Sequence, residues 1–143
     1  MLFCCCYRSP TASEESDDNN EKLNQLLRTI SNKKYSHRCI LGEFNFRNIN
    51  WTQWSTSMSE QSVEANFIEA VRDCYFFQHI AKPTRSRGTD TPSVLDLLFT
   101  DEEMNVSDIQ HHSPLGKSVI ISEYHCYLDF SKPKDALCVA RND

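Results

Sequence analysis

Residues 39–46 read Cys39-Ile40-Leu41-Gly42-Glu43-Phe44-Asn45-Phe46, and this stretch decides how the chain is read. Cys39-Ile40-Leu41 is a short apolar run with few polar breaks, as in a buried strand. The run ends at Gly42, and an acid and an amide follow two residues apart. At a strand end, residues i and i+2 point the same way. Glu43 and Asn45 are therefore expected to converge at the mouth of a sheet. A carboxylate and a carboxamide there suit a hard divalent cation and a phosphate oxygen. The plainer alternative is a strand-end turn with solvated polar residues.

Working outward, Leu23, Leu26, Leu27 and Ile30 fall on one face of a helix, which predicts a helix over Asn20–Ile30 capped by Asn19 or Asn20. A polar, acidic loop over Ser9–Asn19 and a strand over Leu2–Tyr7 precede it. On the other side, an Asn- and aromatic-rich loop runs from Glu43 to Trp54. Val63, Phe67, Ile68 and Val71 predict a second helix over Ser62–Cys74. Tyr75–Ile80 and Val94–Thr100 read as strands, with a loop over Lys82–Pro92 punctuated by Pro83, Gly88 and Pro92. A shorter strand around Val106, a turn at Ser113–Gly116 and one continuous strand over Val119–Phe130 complete the pattern. Asp101-Glu102-Glu103 reads as a solvated turn. Alternating strands and helices imply an α/β fold in layers. Residues 1–130 form the domain, and 131–143 form a polar tail with no clear period.

The chain has 143 residues, 39% of them hydrophobic and 24% charged, which is one globular domain's worth. Its net charge of −5 excludes a protein that coats nucleic acid by bulk charge. A cleft with local basic loops remains open. No apolar stretch approaches membrane-spanning length, and three glycines leave no glycine-rich phosphate loop. The short apolar start, Met1–Cys6, has no basic leader and is too brief for a secretory signal, so an intracellular protein of the nucleus or cytoplasm is expected. Seven cysteines stand at 4, 5, 6, 39, 74, 126 and 138 without a C-x-x-C pair. That counts against a zinc finger, a disulfide framework and a thiol- or metal-binding protein built on Cys4-Cys5-Cys6. Cys5, one of its neighbours, Cys39 and Cys126 lie in apolar stretches and are expected to be small buried hydrophobes in a reducing compartment.

Four segments, taken in order, carry a resemblance. They are Tyr7-Arg8-Ser9-Pro10; Gly42-Glu43-Phe44-Asn45 with Asn48-Ile49-Asn50-Trp51; Pro83-Thr84-Arg85 leading into Val94–Thr100; and Val106-Ser107-Asp108 with His112–Ser118. Together they resemble the endonuclease/exonuclease/phosphatase family, and within it the apurinic-type endonuclease domain of non-LTR retrotransposons, over the C-terminal part of that domain. The resemblance implies part of a four-layer α/β/β/α sandwich and magnesium-dependent hydrolysis of a DNA phosphodiester. It implies Tyr7 close to the scissile phosphate and Asn45 on the phosphate. Glu43 stands where the family has a water-preparing aspartate and is the candidate metal ligand. Asp96 stands where an aspartate orients the catalytic histidine. Arg85 and Arg87 are the candidate nucleic-acid contacts, or else an ordinary solvated basic loop. Trp51 and Trp54 either stack on a base or pack over the sheet edge. DNA is the implied partner, with neither a membrane nor a small-molecule cofactor.

The departures from the family pattern are equally specific. The family's motif after its Gly-Lys-Ser is Ser-Asp-His, whereas here Ser118 is followed by Val119-Ile120-Ile121 and the aspartate and histidine are absent. His111 and His112 are expected on a loop. His125 is expected over about 20 Å from Ser118 along the same strand. The motif aspartate is a glutamate, one methylene longer, although catalytic groups must sit within about half an ångström of their place. The family's metal-binding glutamate has no counterpart. The expectation is a truncated remnant of a retrotransposon endonuclease domain without catalytic activity. The alternative is a weakly active nuclease or a nucleic-acid-binding fragment.

Overall fold

A computed structural model describes residues 1–10, 14–86, 91–112, 120–121 and 123–128. The Ser113–Gly116 turn, Arg87, Cys138 and the tail at 131–143 lie outside them. In chain order the elements are β1 (Leu2–Tyr7), α1 (Glu14–Asn32), β2 (Arg38–Glu43), β3 (Ile49–Asn50), β4 (Ser55–Thr56), α2 (Val63–Asp73), β5 (Phe77–Gln78), β6 (Arg85–Ser86), β7 (Asp96–Thr100), a 3-10 turn at Glu103–Asn105, β8 (Val106–His112), β9 (Ile120–Ile121) and β10 (Glu123–Leu128). The result is a mixed α/β fold, as expected. No helix among the described residues is long and apolar enough to cross a membrane.

A four-stranded sheet in the order β1-β2-β7-β5 is the centre of the molecule. β1 runs parallel to β2, with α1 as the crossover between them, while β7 pairs antiparallel with both β2 and β5. The apolar run of β2 alternates between two cores. Ile40 joins Leu97 and Phe99 of β7 on the face covered by α1 and α2, where Leu27, Ile30, Phe67, Ile68 and Val71 meet them. Cys39 and Leu98 point the other way, with Ile80, and are covered by Val106, Ile109 and Leu128 from the β8–β10 ladder. This is why Cys39-Ile40-Leu41 lacks polar breaks: both faces are covered.

α2 matches its expected range. Ser62 caps it, its hydroxyl accepting the Ala65 amide at 3.2 Å. α1 does not. The acidic stretch expected to be a loop is helical from Glu14, and Asn20, expected as a cap, lies inside the helix and is buried. Acidic residues suit a helix N-terminus because they oppose the macrodipole, so the helix extends beyond its apolar stripe. Tyr75–Ile80 shrinks to the two-residue β5, preceded by Tyr75 at φ 56°. The continuous strand expected over Val119–Phe130 is instead two strands in different ladders: β9 pairs with β6, and β10 with β8. Asp101 is no solvated residue either. It receives Arg38 Nη1 at 2.9 Å and the Arg38 amide at 3.0 Å, and both side chains are largely buried.

Cys39 and Cys74 are buried, whereas Cys5 is exposed. The expectation of burial fails at Cys5 because β1 lies at the sheet margin, with residues 3, 5 and 7 facing outward.

Candidate active site

Register brings three of the sequence-predicted residues into one row. Tyr7 on β1 is the partner of Glu43 on β2, and Glu43 is the partner of Asp96 on β7. Directly paired residues share a face of the sheet, so a phenol and two carboxylates stand side by side across three strands. Gly42 allows β1 to come this close. It has φ +147°, and a Cβ at that position would lie 1.8 Å from the Cys6 carbonyl oxygen.

Glu43 is already engaged. Arg85 of β6 donates from Nη1 to Glu43 Oε1 at 3.3 Å. Arg85 Nε is buried with no acceptor among the described residues. Asp96 is held by the preceding loop: Thr84, fully buried, accepts the amides of Leu95 and Asp96 on its hydroxyl at 3.0 and 3.1 Å. Burial pushes the Asp96 carboxyl above the usual aspartate range. A hydrogen bond from Thr84 counters the shift, Glu43 adds to it, and Arg85 opposes it. The row is therefore a carboxylate pair with one guanidinium beside it. Thr84 was not singled out in the sequence as a site residue, although it stands in the quoted Pro83-Thr84-Arg85; a small hydroxyl just before a strand is its only signal.

Asn45 has contacts of its own at the end of β2. It sits at φ 55°, is 8% exposed, and donates from Nδ2 to the Arg8 carbonyl at 2.8 Å. The chain turns sharply there, so the i, i+2 rule for an extended strand no longer applies. Arg8, unnoticed in the sequence beyond its place after Tyr7, completes the staple. Its amide donates to the Glu43 carbonyl at 2.9 Å, and its guanidinium reaches Asn20 Oδ1 at 2.6 Å and the carbonyls of Phe44 and Asn45 at 3.2 and 3.3 Å. It also lies 4.1 Å over the Phe46 ring. Tyr7 itself is 71% exposed.

The histidines expected on a loop, His111 and His112, belong to β8, paired with Tyr124 and Glu123 of β10. His79 Nε2 lies 2.7 Å from Thr100 Oγ1, at the far end of β7 from Asp96. Five residues of strand separate the two by more than about 13 Å. Trp51 is buried and meets Trp54, Phe67 and Phe99 edge-on, so both tryptophans pack against the core, the second of the two readings.

A hard cation takes six or more oxygen ligands or bound waters with charge to match. The residues of this row fall short of that demand: it offers two carboxylates, and one of them is in contact with Arg85. No cluster of three metal-ligating side chains occurs among the described residues.

A family model described as endonuclease-reverse transcriptase matches residues 1–118. No curated protein matches the chain.

Proposed function

Because the chain belongs to the endonuclease-reverse transcriptase family, we propose that it is a remnant of a retrotransposon DNA endonuclease domain that keeps the frame of the site and does not cut DNA. The Glu43–Arg85 ion pair carries this reading. Phosphodiester hydrolysis needs a base free to accept a proton from water and a cation or donors to neutralise the phosphoryl oxygens. Glu43 stands where the base belongs, and its carboxylate is paired with a guanidinium at 3.3 Å.

The sequence supports the same reading. Ser118 runs directly into Val119, without the aspartate and histidine of the resembled motif, so Asp96 has no imidazole to orient. Magnesium, the family's cofactor, meets a donor set that is short of oxygens and partly neutralised. DNA remains the ligand this reading implies. Arg85 and Arg87, with the exposed Lys82 beside them, are the groups this reading offers to backbone phosphates.

The partial four-layer α/β/β/α sandwich belongs to the proposal as well. Its support is the outward face of β1, where Phe3 is 56% exposed and Tyr7 projects beside it, an apolar face suited to a covering layer. An odd cysteine count without a C-x-x-C pair supports a reducing compartment of the cell, nucleus or cytoplasm.

The test is nicking of supercoiled plasmid with magnesium and a chelator control. The chain is expected to leave the plasmid intact, and Glu43→Asp is expected to restore nothing. Chelator-sensitive nicking by the chain that disappears in Glu43→Gln overturns the reading.

A further inference from the structure

Arg8 carries a positive charge that its neighbours leave unmet. Its hydrogen bonds go to neutral acceptors, the Asn20 side chain and the carbonyls of Phe44 and Asn45, and its guanidinium lies over the Phe46 ring. Among the described residues no carboxylate lies within ion-pair distance of it. Burial lowers the pKa of the guanidinium, and Glu64 opposes the shift without forming an ion pair. A cation half withdrawn from water and left unpaired costs free energy.

The same residue walls a cavity of about 120 Å³ at the C-terminal end of β1, together with Cys6, Tyr7, Ser9, Asn19, Asn20 and Leu23. These residues bring a guanidinium, a phenol, a hydroxyl and two carboxamides, all able to donate hydrogen bonds, and no carboxylate. Nε and Nη1 of Arg8 are taken, whereas Nη2 has no acceptor among the described residues. Asn20 adds a second unmet donor: Arg8 holds its Oδ1, and its Nδ2 is buried without an acceptor. Asp18, the acid beside Asn19 on α1, is paired with Lys22. At about 30 Å³ per water, the cavity holds a few waters, or one tetrahedral oxyanion in their place.

We propose that this cavity binds a phosphate group, with Arg8 as its charged contact and Tyr7 and Asn19 as donors beside it. A guanidinium presents a planar fork of N–H groups that matches phosphate oxygens, and the bound anion supplies the charge that Arg8 lacks. Glu43 and Asp96 are absent from the cavity wall, so the site is separate from the carboxylate row and independent of any cation there. The phosphate comes free in solution, from the end of a nucleic acid strand or from its backbone. Only the last two sources rest on the DNA reading proposed above; the site itself does not.

The experiment titrates the full chain with inorganic phosphate at fixed pH and ionic strength and follows backbone amide signals by nuclear magnetic resonance. The amides of Arg8, Ser9, Asn19 and Asn20 are expected to shift together along one saturating curve, and chloride is expected not to move them. Arg8→Ala also removes the contacts that Arg8 makes within the fold, so Asn19→Asp decides. Asn19 is exposed, and a carboxylate there is expected to weaken phosphate binding by more than about tenfold, because like charges brought together repel. Lys34→Ala removes one positive charge beyond the other end of α1 and is expected to leave the affinity unchanged. No saturating shift at these four amides overturns the proposal, as does equal loss in Lys34→Ala or full retention in Asn19→Asp. Competition then identifies the source. Displacement of phosphate by a short oligodeoxynucleotide with hydroxyls at both ends assigns the site to backbone phosphates, and displacement by its 5′-phosphorylated form alone assigns it to strand ends. Where neither competes, the phosphate site stands and DNA is not its ligand.

Discussion

Asp96 is a carboxylate that the folded chain holds at a cost. Burial raises its pKa, Glu43 adds to the shift, and Thr84 and Arg85 counter it without cancelling it. The folded state therefore binds the Asp96 proton more tightly than the unfolded state does. The contribution to stability is full below the ordinary aspartate value of about 3.9 and is lost as pH rises through the folded value. Asp96→Asn is expected to raise the urea midpoint at about pH 7 and to leave it unchanged below about pH 3.5. A higher midpoint at acid pH, or none at neutral pH, contradicts this account of the site. The types and spacing of Glu43, Asp96 and Tyr7 were legible in the sequence. The guanidinium beside Glu43 was not, because Arg85 arrives on β6, 42 residues away in the chain, where no local pattern specifies a partner.

Among the elements, two ion pairs look alike on paper and differ in weight. Arg38 ties the end of α1 to the end of β7. It reaches the Ile30 and Ser31 carbonyls at 3.0 and 3.1 Å and Asp101 at 2.9 Å, with side chains 13% and 10% exposed. Arg85 and Glu43 are 22% and 36% exposed and joined by one contact at 3.3 Å. Removing one member of a buried pair leaves the other charge stranded, at a cost of about 3–5 kcal/mol. A screened pair is worth about 0–1 kcal/mol. Arg38→Ala is therefore expected to lower unfolding free energy by about 3 kcal/mol or more, and Arg85→Ala by under about 1 kcal/mol. Chemical denaturation measures both, and comparable losses refute the ranking. The sequence offered α2 with both its ends, since Ser62 and an apolar face at helical spacing are local signals. It concealed the first turns of α1, which carry charge without an apolar stripe, and the depth of Asp101, which depends on a residue 63 positions earlier.

For the whole molecule, layering was legible and its extent was not. Alternating strands and helices implied an α/β sheet covered by helices. The single run at Cys39–Leu41 implied cover on both faces, which α1 with α2 and the β8–β10 ladder provide. Which strands belong to which ladder depends on long-range register, and there the expectation of one strand over Val119–Phe130 gave way to two.

The row of Tyr7, Glu43 and Asp96 also has a consequence in time. Its members are 43 − 7 = 36 and 96 − 43 = 53 residues apart, so no local segment assembles it. Closing such long loops before their contacts form slows the search for the native pairing. β2 has strands on both sides, and local opening has no edge there from which to begin. Amide hydrogen exchange is expected to show the backbone of Ile40–Leu41 and Leu97–Phe99 opening at one shared free energy, that of global unfolding, while Phe77 and Gln78 at the sheet edge open more cheaply. The Glu43–Asp96 pair then exists only in chains whose two central strands are folded, whereas Tyr7, on the marginal β1, leaves the row at a lower cost.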